Sequence, residues 1–244
     1  MAVRDPSYDV CYRESPVIRK LYLELTDRCN LDCSFCYRQG WELPAVDMKE
    51  ELVDRIVKDL EQVEGLEKIV LGGIGEPTVH PRFGEIVRRL APVRMHLTTN
   101  GTLLGEANRA LLIDHVDTVT VSVDGGPESY RALRGTDLDR VMGNLEALQR
   151  EKKAAGSLTP KLEIQFVANT DNIGEIFGVI DLAVRLEASR VILSNLLPQS
   201  PDYRDKIVYT RCATGQGRDL LNRIQSHALQ QGMHIFLPPL WLKT

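Results

Sequence analysis

The sequence lacks a long hydrophobic run and a strong excess of charge of either sign. None of its apolar stretches approaches the roughly 18–20 residues that span a bilayer. Residues 1–13 mix Arg, Asp and Tyr without an apolar core, which is not the pattern of a secretion signal. The net charge is −4 and basic residues are mostly interleaved with acidic ones, which argues against a phosphate-backbone ligand. These absences predict a cytoplasmic protein with neither a membrane nor a nucleic acid as its partner.

Cysteine is also scarce, with five residues in a chain of 244. A disulfide framework would spread paired cysteines along the chain. Three of the five, Cys29, Cys33 and Cys36, instead fall within eight residues. This crowding predicts reduced thiolates that hold a metal in a reducing cytoplasm. Cys11 and Cys212 stand alone, and the five histidines show no ligand spacing.

Short apolar strand candidates alternate with amphipathic segments, which predicts an α/β fold with a parallel sheet. The strand candidates are residues 18–26, 68–71, 94–99, 118–123, 162–168 and 190–194, with a last short strand at 233–236. The helix candidates are residues 49–63, 82–90, 105–114, 138–155, 173–186 and 217–230. Six β–α units fall short of the eight in a closed barrel of ~250 residues. We therefore predict a partial (β/α)6 TIM-like barrel over residues 17–236, an N-terminal tail over 1–16 and a C-terminal tail over 237–244.

The first strand candidate runs into a loop, residues 26–37, that carries the three cysteines as CxxxCxxC. Three thiolates can bind three irons of a four-iron cluster and leave the fourth iron open, whereas ferredoxin-type clusters normally use four cysteines. Two other readings stay open at this point. Zinc would require a fourth ligand such as Cys212 or a histidine. Free cysteines are also often plain core residues.

This cysteine loop resembles the signature loop of radical S-adenosylmethionine (SAM) enzymes, in which an aromatic residue, here Phe35, precedes the third cysteine. The resemblance makes Phe35 a candidate for the cofactor site. The resemblance extends from about residue 18 to residue 236. The fold of that family is a partial (β/α)6 barrel with its cluster after the first strand. The resemblance implies a [4Fe–4S] cluster on Cys29, Cys33 and Cys36 that binds SAM at its open iron. It also implies reductive cleavage of SAM to a 5′-deoxyadenosyl radical that takes hydrogen from a substrate.

The second strand candidate ends in GGIGEP, residues 72–77. Taken alone, this is a glycine turn without the residue order that binds dinucleotides or P-loop phosphates. It resembles the Gly-Gly-Glu-Pro motif whose backbone holds the amino group of SAM, with Ile74 and Gly75 as two extra residues. The resemblance implies that Gly75 and Glu76 contact SAM, and Gly73 is a further candidate.

The later loops supply more candidates through the same resemblance. Asn100 and Gly101 form either a plain turn or a contact near the SAM pocket. Ser122 would hydrogen-bond the ribose or the carboxylate of SAM. Arg134 would bind that carboxylate through its fork of N–H donors, with Arg140 as its rival.

The last two strand candidates add residues at the far side of the expected pocket. The backbone groups of Asn195 and Leu196 would frame the adenine of SAM. Gln165 either reaches the barrel interior or faces outward.

Residues 72–83 and 194–198 also resemble maturases that carry a C-terminal SPASM-type auxiliary cluster domain, and we favour those linked to tungsten-cofactor oxidoreductases. Peptide-modifying maturases and the first enzyme of molybdenum-cofactor synthesis are the alternatives. The expected partners are an electron donor of the flavodoxin or ferredoxin type and a peptide, protein or cofactor-precursor substrate. Only one cysteine follows Cys36, so we expect the chain to be the SAM-cleaving core of a longer enzyme or a relative without the extension.

Two other function classes compete with radical chemistry. A zinc-stabilised binding module would be colourless and non-catalytic. A scaffold of this family that has lost its chemistry is the other, and the intact cysteine triple and Glu76-Pro77 count against it.

Overall fold

The computed structural model describes residues 2–5, 8–11, 17–40, 42, 44–60, 62–198, 201–208 and 215–237. Two short strands near the N-terminus, β1 (Ala2–Asp5) and β2 (Tyr8–Cys11), pair antiparallel as a separate sheet. This pair lies in the segment predicted as a tail. Cys212 lies outside the described residues.

The other strands form one parallel seven-stranded sheet in which each strand pairs with the next in sequence. They are β3 (Lys20–Leu23), β4 (Lys68–Leu71), β5 (Met95–Thr99), β6 (Thr118–Ser122), β7 (Lys161–Ala168), β8 (Arg190–Asn195) and β9 (Ile235–Phe236). The sheet is not closed, because β3 and β9 are its two edges. The prediction of an open α/β fold is therefore confirmed.

Helices lie between successive strands of this sheet. They are α1 (Glu50–Leu60), α2 (Phe83–Leu90), α3 (Glu106–His115), α4 (Pro127–Arg134), α5 (Leu138–Ala154), α6 (Ile176–Arg185), α7 (Pro201–Arg204) and α8 (Gly215–Gln230). Single 3-10 turns cover Pro77–Val79 and Ile173–Glu175. Among the described residues, none of the helices is both long enough and apolar enough to cross a membrane.

One face of the parallel sheet is apolar and carries the core. Leu71, Leu97, Val119 and Leu162 are neighbours in the strand register and are almost completely buried. They belong to one apolar cluster with buried helix residues such as Ile86. Since successive side chains of a strand point to opposite faces, the residues between them lie on the other face.

That other face carries a hydrogen-bonded chain across five strands. Lys68 donates to Nδ1 of His96 over 2.9 Å, and Nε2 of His96 lies 2.6 Å from the hydroxyl of Thr120. The hydroxyl of Thr120 donates to Glu163 over 2.9 Å, and Glu163 pairs with Arg190 at 2.6 Å. Burial, followed by the charge of Lys68, lowers the pKa of His96 to about 4. His96 is therefore neutral at physiological pH.

Candidate active site

The loop after β3 is fixed to the body of the protein at several points. Thr26 pairs with Asp47 as an isolated bridge, and its hydroxyl donates to the Asp47 carboxylate over 2.7 Å. The N–H of Ser34 donates to the carbonyl of Leu133 in α4 over 2.9 Å. The hydroxyl of Tyr203 donates to the carbonyl of Ser34. These contacts set the backbone that carries the three cysteines.

The three cysteines are free thiols. Backbone N–H groups two residues further along lie 3.4 Å from the sulfurs of Cys29 and Cys36. Burial raises the pKa of Cys29 and raises that of Cys33 to about 11, although the nearby Arg134 opposes the second shift. The two thiols are therefore neutral at pH 7, and a coordinated metal would deprotonate them.

The donor set fits an iron–sulfur cluster. Thiolates that accept N–H hydrogen bonds are the usual ligands of such clusters, and each binds its own iron. In the described part of the chain, no group of three His, Cys, Asp and Glu side chains is arranged to hold a single metal ion.

A cavity of about 760 Å³ opens beside the thiols, at the carboxyl ends of the strands. Cys33 and Cys36 lie in its wall. The structure brings five of the predicted SAM-binding residues into the same wall: Phe35, Gly73, Arg134, Asn195 and Leu196. In parallel α/β folds, ligands bind in the loops at this end of the strands.

Four predicted SAM-binding residues lie outside that wall: Gly75, Glu76, Asn100 and Ser122. A Cβ atom at Gly75 would lie 2.1 Å from the carbonyl oxygen of Thr26 and 2.6 Å from that of Arg28. Glycine is therefore required there because the cysteine loop packs against it. The structure places Gly73, rather than Gly75, at the cavity.

The carboxylate of Glu76 is buried between two loops. It accepts from the hydroxyl of Thr99 and the N–H of Asn100, both at 2.7 Å, and from the hydroxyl of Thr78 at 2.6 Å. Burial raises its pKa, although these donors oppose the shift. Glu76 thus joins the glycine loop to the turn after β5, and its direct contact with SAM stays a prediction.

Asn100 supports the cysteine loop. Its side-chain N–H group donates to Asn30 over 3.0 Å and lies 3.8 Å from the sulfur of Cys29. Asn30 donates in turn to Thr102 over 2.8 Å. The turn after β5 therefore holds the segment between the first two cysteines. Asn30 was not predicted, because its partner is distant in sequence.

Ser122 ends β6 beside Gln165 in the strand register. Gln165 lies in the cavity wall, and its side chain donates to the hydroxyl of Ser194 over 2.9 Å. Gln165 therefore reaches the interior, the first of the two orientations considered.

Arg134 is buried at the cavity, beside Asp124, Phe35 and Cys33. Its Nε donates to the carboxylate of Asp124, and its guanidinium carbon lies 5.5 Å from the ring centre of Phe35. Its Nη1 lies 4.0 Å from the sulfur of Cys33. Burial would lower the pKa of Arg134, but Asp124 and then Cys33 raise it above its usual range. The rival Arg140 donates instead to the carbonyl of Thr102.

Comparison with known proteins identifies the family. Residues 23–159 match the model of the Radical SAM superfamily. The tungsten-containing aldehyde ferredoxin oxidoreductase cofactor-modifying protein of Pyrococcus furiosus is 32% identical over 93% of this chain and 64% of its own length. The structure of Streptococcus suis SuiB with precursor peptide SuiA has a TM-score of 0.72 at 16% identity, over 92% of this chain and 50% of that one. The structure of SuiB with S-adenosylmethionine has a TM-score of 0.71 at 18% identity, over 90% of this chain and 50% of that one. The chain thus spans less than two thirds of these relatives.

Proposed function

Because the chain belongs to the Radical SAM superfamily, we propose that Cys29, Cys33 and Cys36 hold a [4Fe–4S] cluster and that SAM occupies the adjacent cavity. The observation that carries this proposal is the cavity wall itself. It combines two of the thiols with residues from the loops after β3, β4 and β8 and from α4. When bound, the cluster and SAM would supply one-electron cleavage of the sulfonium to methionine and a 5′-deoxyadenosyl radical, which takes a hydrogen atom from the substrate.

The residues of the wall have distinct parts in this proposal. Arg134 offers its remaining N–H donors to the SAM carboxylate, as a fork of this kind suits a carboxylate. The backbone at Gly73 binds the amino group, and Asn195 and Leu196 frame the adenine. Glu76 and Asn100 support these loops from outside the wall, and Ser122 at the end of β6 would hydrogen-bond the ribose or the carboxylate of SAM. The apolar side chains of the wall keep water from the reacting groups.

We propose that the substrate of this enzyme is a peptide, a protein or a cofactor precursor. Two relatives support these classes: the Pyrococcus protein is a cofactor-modifying protein, and SuiB was solved with a precursor peptide. A flavodoxin or ferredoxin type of protein would supply the electron in a reducing cytoplasm. Residues 17–236 would form the SAM-cleaving core.

The test is anaerobic reconstitution with iron and sulfide, followed by SAM and a reductant. We expect about four irons per chain, the content of one such cluster, and release of 5′-deoxyadenosine. Ala variants of Cys29, Cys33 or Cys36 should abolish cleavage, because each removes the only protein ligand of one iron. Cys11→Ala and Cys212→Ala are the matched controls and should retain it.

Three results would contradict the proposal in different ways. Full SAM cleavage by Cys33→Ala would exclude the cluster assignment. A colourless protein that binds zinc and no iron would favour the binding module. About eight irons per chain would indicate a second cluster.

A further inference from the structure

The strongest unassigned feature is the carboxylate of Asp124, which is completely buried beside the proposed cluster. Asp124 follows β6, and one of its oxygens accepts the N–H of Val167 over 2.6 Å. The other accepts from Nε of Arg134. A buried carboxylate is costly unless it is paired and hydrogen-bonded, and both of its oxygens are used here.

The ion pair has a defined direction. Asp124 binds the Nε edge of the guanidinium, whereas Nη1, which lies further out on the same group, is 4.0 Å from the sulfur of Cys33. The face of the guanidinium covers Phe35. The positive end of the pair therefore faces the thiol, and the negative end lies behind it. A pair of charges in a low-dielectric site acts more strongly than in water.

We propose that the buried Asp124–Arg134 pair, which turns its cation toward Cys33, raises the reduction potential of the cluster. The inference rests on the proposed cluster at Cys29, Cys33 and Cys36. Reduction adds one negative charge to the cluster, so a nearby cation stabilises the reduced form and a nearby anion destabilises it. Hydrogen bonds and charge near the sulfurs are among the factors that set such potentials.

The proposal makes opposite predictions for the two halves of the pair. Asp124→Asn removes the anion and keeps an acceptor for Val167, so the potential should become more positive. Arg134→Gln removes the cation, so the potential should become more negative. The double variant should lie below the wild-type protein and at or above Arg134→Gln. A role in packing alone would not give shifts of opposite sign.

The measurement is a redox titration of the reconstituted protein without SAM, followed by the electron paramagnetic resonance signal of the reduced cluster. Glu151→Gln is the matched control. Glu151 in α5 pairs with Arg109 in α3 at 2.6 Å. This substitution makes the same chemical change in an arginine pair that is not part of the cavity wall, and should leave the potential unchanged.

Every outcome decides the matter. Shifts of the same sign, or no shift in either variant, overturn the proposal. If only one variant holds a cluster, a shift of its reduction potential in the predicted direction supports the proposal, and a shift in the other direction overturns it. If neither holds one while the wild-type protein does, the pair serves folding and the proposal is wrong. A wild-type protein that binds no cluster would instead contradict the proposed function.

Discussion

The Glu76 carboxylate illustrates how a side chain can serve a cavity without entering its wall. Its oxygens accept hydrogen bonds from two hydroxyls and two backbone N–H groups of two loops. Hydrogen bonds to a charged group are stronger than hydrogen bonds between neutral groups. A buried donor that loses its acceptor also destabilises the protein, because it has been removed from water without a replacement partner. The family motif predicts that Glu76 contacts SAM, whereas its hydrogen bonds indicate that it holds two loops together. Experiment can separate these two roles.

We expect Glu76→Ala to lower the free energy of unfolding by about 2–4 kcal/mol, because it removes the acceptor of four N–H and O–H donors. Glu76→Gln keeps one acceptor and should cost less. Urea denaturation of the apoprotein measures both values. A Glu76→Ala protein of wild-type stability that binds SAM weakly would instead assign this residue to the ligand.

At the scale of elements, α4 shows what sequence patterns missed. The predicted strands and the long helices were recovered, because they consist of repeated Val, Ile and Leu at strand or helix spacing. Helix α4 has eight residues and few apolar ones, of which Tyr130 and Leu133 are buried. Its signals were Pro127 at the start and Gly135 just after the end, an asymmetry typical of helices. The cysteines were predictable because they lie within eight residues of the sequence, whereas the pairing of Asp124 with Arg134 appears only once α4 is folded.

Two glycine substitutions, one just after α4 and one inside α5, should change the stability of the protein in opposite directions. Gly135 has φ of 69°, and nothing lies within 4 Å of the position of its Cβ. Gly135→Ala should therefore cost about 1 kcal/mol through backbone strain alone. Gly143 lies in the middle of α5 with equally open space around it. Gly143→Ala should stabilise the protein by roughly 0.5–1 kcal/mol, and thermal denaturation of both variants measures the contrast. Destabilisation by both substitutions would contradict the backbone explanation.

At the scale of the whole molecule, the chain of side chains from Lys68 to Arg190 links five strands on the polar face. His96 within it has a folded-state pKa of about 4, against 6.5 in the unfolded chain. Between these values the unfolded state takes up a proton that the folded state does not, so stability is present above pH 6.5 and is lost as the pH falls toward 4.

We therefore expect His96→Gln to flatten the pH dependence of unfolding in this window. Glutamine can accept from Lys68 and donate to Thr120, but it does not titrate. Urea midpoints at several pH values between 4 and 7 measure the slope, with the wild-type protein as reference. An unchanged slope would show that other groups cause the acid sensitivity.

The order of the strands has a consequence for the sequence of events in folding. Each strand of the parallel sheet pairs with its neighbour in the chain, so the sheet can grow one β–α unit at a time. The contacts of the cysteine loop are different: Asn30 with Thr102, Ser34 with Leu133 and Ser34 with Tyr203 join residues 72, 99 and 169 positions apart. A contact between residues so far apart in sequence forms only after the intervening chain has closed into a loop, which costs entropy. The cysteine loop should therefore be the last part to acquire its native shape, after the units on which it rests.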